Sequence, residues 1–312
     1  MKIFLRSFTL LMATFIMIGS VNAQRNEIRI VTKRNPDNSI DFDYEKDGPE
    51  TATISLIFKE LTNSRTPNKT FTVSGYGGNM LKLSPINKEQ SISYSYSYQY
   101  ILGKLKPKLK KDITYLLPYR NGLKTYVIEA TELKTKYFGN TEPVDWKSYY
   151  FVSDEQEAVS ATRRGIVVQI MDNYETTGSD KVHFSNKTNH ILIEHADGTI
   201  AEYDGFEKGS IICKIGDIVF PGTILGKNIK RENGKFGLAF SVKYLTQENL
   251  TVNDGKNLSN IQSHYSYVTP NFFTANGVEI LTHGDTYIST KDEKIIQSEM
   301  SKKELKKYPA NE

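Results

Sequence analysis

Cysteine is almost missing from this chain of 312 residues: Cys213 stands alone, so no internal disulfide can form. Tryptophan is as scarce, with Trp146 the single example, and only five histidines are scattered along the sequence. An excess of charge of one sign is also lacking. Forty Lys and Arg face 36 Asp and Glu, a net of +4, which argues against the concentrated basic face of a nucleic-acid binder. After residue 23 no stretch approaches the roughly 18 apolar residues of a membrane helix, so the mature chain is expected to have no membrane span. There is no Gly-x-Ser-x-Gly, no phosphate-binding glycine loop and no nucleophilic cysteine motif. Cys213 lies in an apolar run, Ser210-Ile211-Ile212-Cys213-Lys214-Ile215, without a His or basic pair beside it, and reads as a buried structural thiol.

What is present begins with a leader. Residues 1–23 place Lys2 and Arg6 before an apolar run, followed by Gly19, Ser20 and the small-residue exit Val21-Asn22-Ala23. This is the pattern of a secretory signal cleaved before Gln24, and it predicts an exported protein, periplasmic or secreted. Removing Lys2 and Arg6 leaves the mature chain at about +2. Its hydrophobic share of 38% is too large for a disordered polymer. The aromatic share of 11%, with Thr, Val and Ile, favours sheet over helix bundle.

The strand pattern divides the chain. Between residues 24 and 115, short period-two runs (Ile40, Phe42, Tyr44; Ile54, Leu56, Phe58) alternate with turns such as Asn35-Pro36-Asp37-Asn38 and Asp47-Gly48-Pro49. This predicts an immunoglobulin-like β-sandwich. In residues 91–100 (SISYSYSYQY), Ile92, Tyr94, Tyr96, Tyr98 and Tyr100 share one face. Such a ladder is either a carbohydrate platform or a half-buried sheet face with wet hydroxyls, and the second is expected. Residues 116–290 are also strand-rich, with glycines at turn positions and a hairpin signal at Asp197-Gly198. Residues 291–312 form a charged tail, expected as a short exposed helix or a loose end.

The second segment resembles a known family through several ordered motifs. Leu117-Pro118-Tyr119-Arg120-Asn121-Gly122 comes first, then Val159-Ser160-Ala161-Thr162-Arg163-Arg164-Gly165. Asn189-His190-Ile191-Leu192-Ile193-Glu194-His195-Ala196-Asp197-Gly198-Thr199-Ile200-Ala201-Glu202-Tyr203 follows, and Gly216-Asp217-Ile218-Val219 leads to Pro221-Gly222. In this order they are similar to the lysostaphin-type (LytM-like) zinc endopeptidases, in the version exported by Gram-negative bacteria. The resemblance implies an all-β chain, with the sandwich followed by an antiparallel peptidase-fold sheet.

The departures from that family bear on function. The family binds one zinc through H-x-x-x-D and the second His of H-x-H, assisted by the His of Y-x-H and the first His of H-x-H. On this alignment Trp146 stands at the first ligand position, Tyr150 at the Asp and Ala239 at the third ligand, while Gly205 and Gly237 occupy the assisting positions. Indole nitrogen only donates, and Ala and Gly offer no side-chain lone pair, so no zinc cofactor and no catalytic residue are expected. His190 and His195 are five apart on one strand and point to opposite faces, and His183, His264 and His283 have no ligand spacing.

The expected function is an exported, inactive peptidase-fold binding or regulatory protein of the cell envelope. Its partner would be an envelope protein or a peptidoglycan fragment, held at the former catalytic groove around Trp146, Tyr150 and Ala239. Some LytM-like proteins without zinc ligands regulate cell-wall amidases, so modulation of peptidoglycan hydrolysis is the role the resemblance makes available. The alternative is an active cell-wall metalloendopeptidase with a ligand set outside this alignment. Mass spectrometry of the envelope form should show Gln24 as its first residue; retention of residues 1–23 would contradict the leader assignment.

Overall fold

A computed structural model describes residues 27–129, 145–175, 188–231, 233–246 and 264–308; the leader and His183 lie outside the described residues. The chain is almost entirely β. Its first part holds β1 (Ile28–Arg34), β2 (Ile40–Lys46), β3 (Ala52–Thr62), β4 (Thr70–Val73), β5 (Gly77–Leu83) and β6 (Ser93–Leu102). They form two three-stranded sheets, β1-β2-β5 and β4-β3-β6, paired antiparallel. Ile40 and Phe42 of β2 share a core with Leu56 of β3, so the sheets pack face to face. These six strands are one short of a constant-type immunoglobulin domain.

Tyr94, Tyr96 and Tyr98 of β6 are half-buried, while Tyr100 is exposed. Tyr94 and Tyr96 pack their rings on Phe42 at 5.4 and 5.2 Å, and the Tyr98 hydroxyl donates to the Ile28 carbonyl at 3.0 Å. The ladder closes the open side of the two sheets rather than presenting a flat platform.

The second part continues with β7 (Thr114–Leu116), β8 (Lys124–Glu129), β9 (Ser148–Ser153), β10 (Ala158–Ser160), β11 (Gly165–Met171), β12 (His190–Glu194) and β13 (Ile200–Asp204). Next come β14 (Ile218–Val219), β15 (Ile224–Lys227), β16 (Ile229–Lys230) and β17 (Phe236–Leu245). Last are β18 (Tyr265–Tyr267), β19 (Asn271–Thr274), β20 (Gly277–Glu279) and β21 (Thr286–Ile288). The main sheet runs β14-β11-β12-β13-β17-β9-β8-β21, with β16 and β18 also pairing to β17. The Asp197-Gly198 signal is met: Gly198 has φ +83° and β12 pairs with β13 from Glu194↔Ile200 onward.

One face of this sheet is the core. Leu238, Phe240 and Val242 of β17 pack with Tyr149 and Phe151 of β9, Tyr203 of β13 and Phe272 of β19. Cys213 packs on this cluster but is only partly buried, and burial pushes its thiol up to about 11, so it stays protonated and unreactive.

The tail departs from the sequence expectation. It forms two short helices, α1 (Glu293–Gln297) and α2 (Lys302–Leu305). The segment is docked: Ile296 of α1 and Met300 between the helices, four apart, bury against Leu116. Glu299 forms a two-pronged pair with Arg163 at 2.8 and 2.9 Å. Arg163 is buried and also binds Asp197 at 3.0 Å and the Tyr115 hydroxyl at 3.1 Å. The guanidinium holds both carboxyls below their ordinary range against the opposing effect of burial. The expectation missed this because the charge of the tail looked solvated, whereas its central glutamate neutralises a buried arginine. Glu299→Ala leaves Arg163 half-compensated and should lower stability by about 3 kcal/mol in urea unfolding.

Candidate functional site

The second face of the main sheet carries the residues singled out above. Strand alternation puts Leu238 and Phe240 in the core, so Gly237, Ala239, Ser241 and Lys243 lie on the opposite side. Tyr150 does the same between core residues Tyr149 and Phe151. The register then makes a row across four strands: His190↔Asp204 between β12 and β13, Asp204↔Ala239 between β13 and β17, and Ala239↔Tyr150 between β17 and β9.

Tyr150 fills the room above Gly237. A Cβ built on Gly237 would come 2.0 Å from the Tyr150 hydroxyl and 2.3 Å from its ring. Gly205 follows Asp204 with φ +104°, a conformation that side chains disfavour, and its Cβ would sit 3.3 Å from the Gly237 carbonyl. Thus Tyr150, Ala239, Gly237 and Gly205 come together. Trp146, four residues before Tyr150, is 6% exposed and packs edge-on against Tyr267 of β18 with ring centroids 4.6 Å apart.

Charged groups border the row. Lys243 binds Glu202 at 2.6 Å, and burial with the nearby Glu202 charge pushes the Asp204 carboxyl up to about 7. His190 contacts Gln169 at 3.1 Å and the Thr188 carbonyl at 3.2 Å, and burial lowers its pKa. His195 is buried beneath the Arg164 carbonyl at 2.8 Å, with its pKa pushed down to about 4. The two histidines therefore serve separate environments. His283 receives the Glu129 N–H at 3.2 Å. Among the described residues no three His, Cys, Asp or Glu side chains are grouped to hold a metal.

Sequence reasoning missed two residues here. Arg231 follows β16 and lies over the Tyr150 ring at 4.3 Å; its only signal was a basic stretch ahead of Gly234. Asn189, fully buried, ties Tyr174 and Phe206 together through its side-chain amide, at 2.9 Å to each backbone group of Tyr174 and 3.1 Å to the Phe206 carbonyl.

No protein-family profile and no curated protein matches the chain. Solved structures do show a likeness. One described as a novel M23 metalloprotease, pseudoalterin, from the deep sea is 18% identical with a TM-score of 0.30, covering 58% of this chain and 98% of that one. A putative M23 peptidase from Pseudomonas aeruginosa is 12% identical with a TM-score of 0.28, covering 69% and 87%. A complex of SpoIIIAH and SpoIIQ gives 16% and 0.24, covering 45% and 90%. Likeness at this level speaks to neither activity nor partner.

The overlap at Gly237 is testable. Gly237→Ala should destabilise the protein by about 1–3 kcal/mol through overpacking. In a Tyr150→Ala background the same change should cost almost nothing, a coupling that a double-mutant cycle of thermal unfolding will measure.

Proposed function

We propose that this chain is an exported, catalytically inactive peptidase-fold protein that binds and regulates within the cell envelope. Its ligand is a protein segment or peptidoglycan fragment received on the face bearing Tyr150, Ala239, Gly205 and Gly237, and its effect is to modulate peptidoglycan hydrolysis. The observation that carries this reading is the Tyr150 ring lying over Gly237.

A catalytic zinc requires three His, Asp, Glu or Cys ligands and an open position. The side chains present do not fit one. Trp146 can only donate, Ala239 and Gly237 have no donor atom, and burial raises the Tyr150 pKa so that its phenol stays neutral. Arg231 adds a fixed positive charge 4.3 Å from the Tyr150 ring, which opposes a dication. Gly205 could not readily regain a histidine, because its backbone is left-handed. The face itself remains chemically varied, with Glu202, Lys243, Ser241 and Tyr267 beside the filled centre, which suits recognition of a polar chain.

The mature protein, purified without chelators, should hold only trace zinc and leave peptidoglycan peptides uncut. It should still retain solubilised peptidoglycan fragments or an envelope partner, and Ser241→Arg should abolish that retention. About one zinc per chain with chelator-sensitive cleavage would overturn the reading.

A further inference from the structure

The charge left at the filled centre points to a class of ligand. Arg231 is 9% exposed, and its backbone N–H bonds the Lys235 carbonyl at 2.7 Å, which fixes the turn between β16 and β17. Lys243, on the same face, is paired with Glu202 at 2.6 Å, and Lys235, in the same turn, with Asp154 at 2.8 Å. Among the described residues no carboxylate forms an ion pair with Arg231, and its recorded side-chain neighbour is Tyr150. Tyr150 supplies its ring quadrupole and a neutral hydroxyl that the guanidinium meets, neither of them a countercharge, whereas arginines buried to this degree are ordinarily paired with an anion. Among the described residues none of the guanidinium nitrogens is both buried and without a partner.

We propose that Arg231 and Tyr150 form a carboxylate-binding site, which takes the terminal or side-chain carboxylate of the segment received on this face. The proposal rests on the binding reading above and adds the chemistry of its anchor. A guanidinium presents two parallel N–H groups that match the two oxygens of a carboxylate. Tyr150 keeps its proton and can add a hydroxyl donor. A single arginine without a second cation suits a monoanion better than a phosphate, which ordinarily recruits several donors. The carboxyl whose charge reaches Tyr150 is Asp204; it is largely neutral below about pH 7 and there does not compete.

The test uses ¹⁵N-labelled mature protein at pH 6 and follows the Arg231 Nε–H resonance, assigned by its loss in Arg231→Lys. Trialanine with a free carboxylate is titrated beside its C-terminal amide, and sodium acetate beside sodium chloride at equal ionic strength. The free acid should give a saturable shift and bind at least about tenfold more tightly than the amide. Acetate should shift the same resonance where chloride does not. Backbone resonances of Ala239 and Gly237 should respond to the acid in wild type and fail to respond in a folded Arg231→Gln variant. Equal binding of acid and amide would overturn the carboxylate site while leaving the binding face intact. No shift with any probe, or unchanged binding in Arg231→Gln, would also overturn it. Should that variant not fold, the acid and amide comparison in wild type decides alone. Stoichiometric zinc with cleavage would instead remove the underlying reading.

Discussion

Strand alternation in β17 is the constraint on which the rest of this molecule depends. Ten residues must serve two faces at once, with Leu238, Phe240 and Val242 locked among aromatic rings and Gly237, Ala239, Ser241 and Lys243 turned away. A one-residue slip would exchange the two sets and expose the core. Because β13, β9, β16 and β18 all pair with this strand, its register fixes where Tyr150, Asp204 and Gly205 stand relative to one another. The face proposed to bind is therefore set by the side that packs.

A second dependence joins distant parts of the sequence. Arg163 gathers Asp197 from the β12–β13 hairpin and Glu299 from the tail around one buried positive charge. Lys110, from the basic stretch after the sandwich, reaches the same glutamate at 3.1 Å. The next residue, Arg164, pairs with Glu304, whose carboxylate also caps α2. Adjacent arginines thus hold the tail at two points, and Ile296 and Met300 add an apolar contact with Leu116.

Much of this was legible from residue pattern. The period-two runs located β2, β3 and β6, and Asp197-Gly198 marked its hairpin because its backbone chemistry is local. The tyrosine face was legible for the same reason. Long-range electrostatics were not. Nothing in the order of residues says that Glu299 will meet Arg163, 136 positions away. At the candidate site, the family resemblance pointed to Trp146, Tyr150, Ala239, Gly237 and Gly205, but the direction in which the Tyr150 ring leans depends on the absent side chain of Gly237. Arg231 escaped notice because its relation to Tyr150 exists only across the sheet.

The tyrosines of β6 have a consequence for how copies of this protein meet one another. On the far sheet, β1 pairs with β2 alone, and its outer carbonyls would ordinarily invite a strand from a second molecule. The hydroxyls of Tyr98 and Tyr96 already reach the Ile28 and Ile30 carbonyls, at 3.0 and 3.5 Å. An incoming strand must first dislodge the ends of a packed aromatic row. Side chains that close the sandwich from within thereby guard the molecule against edge-to-edge association.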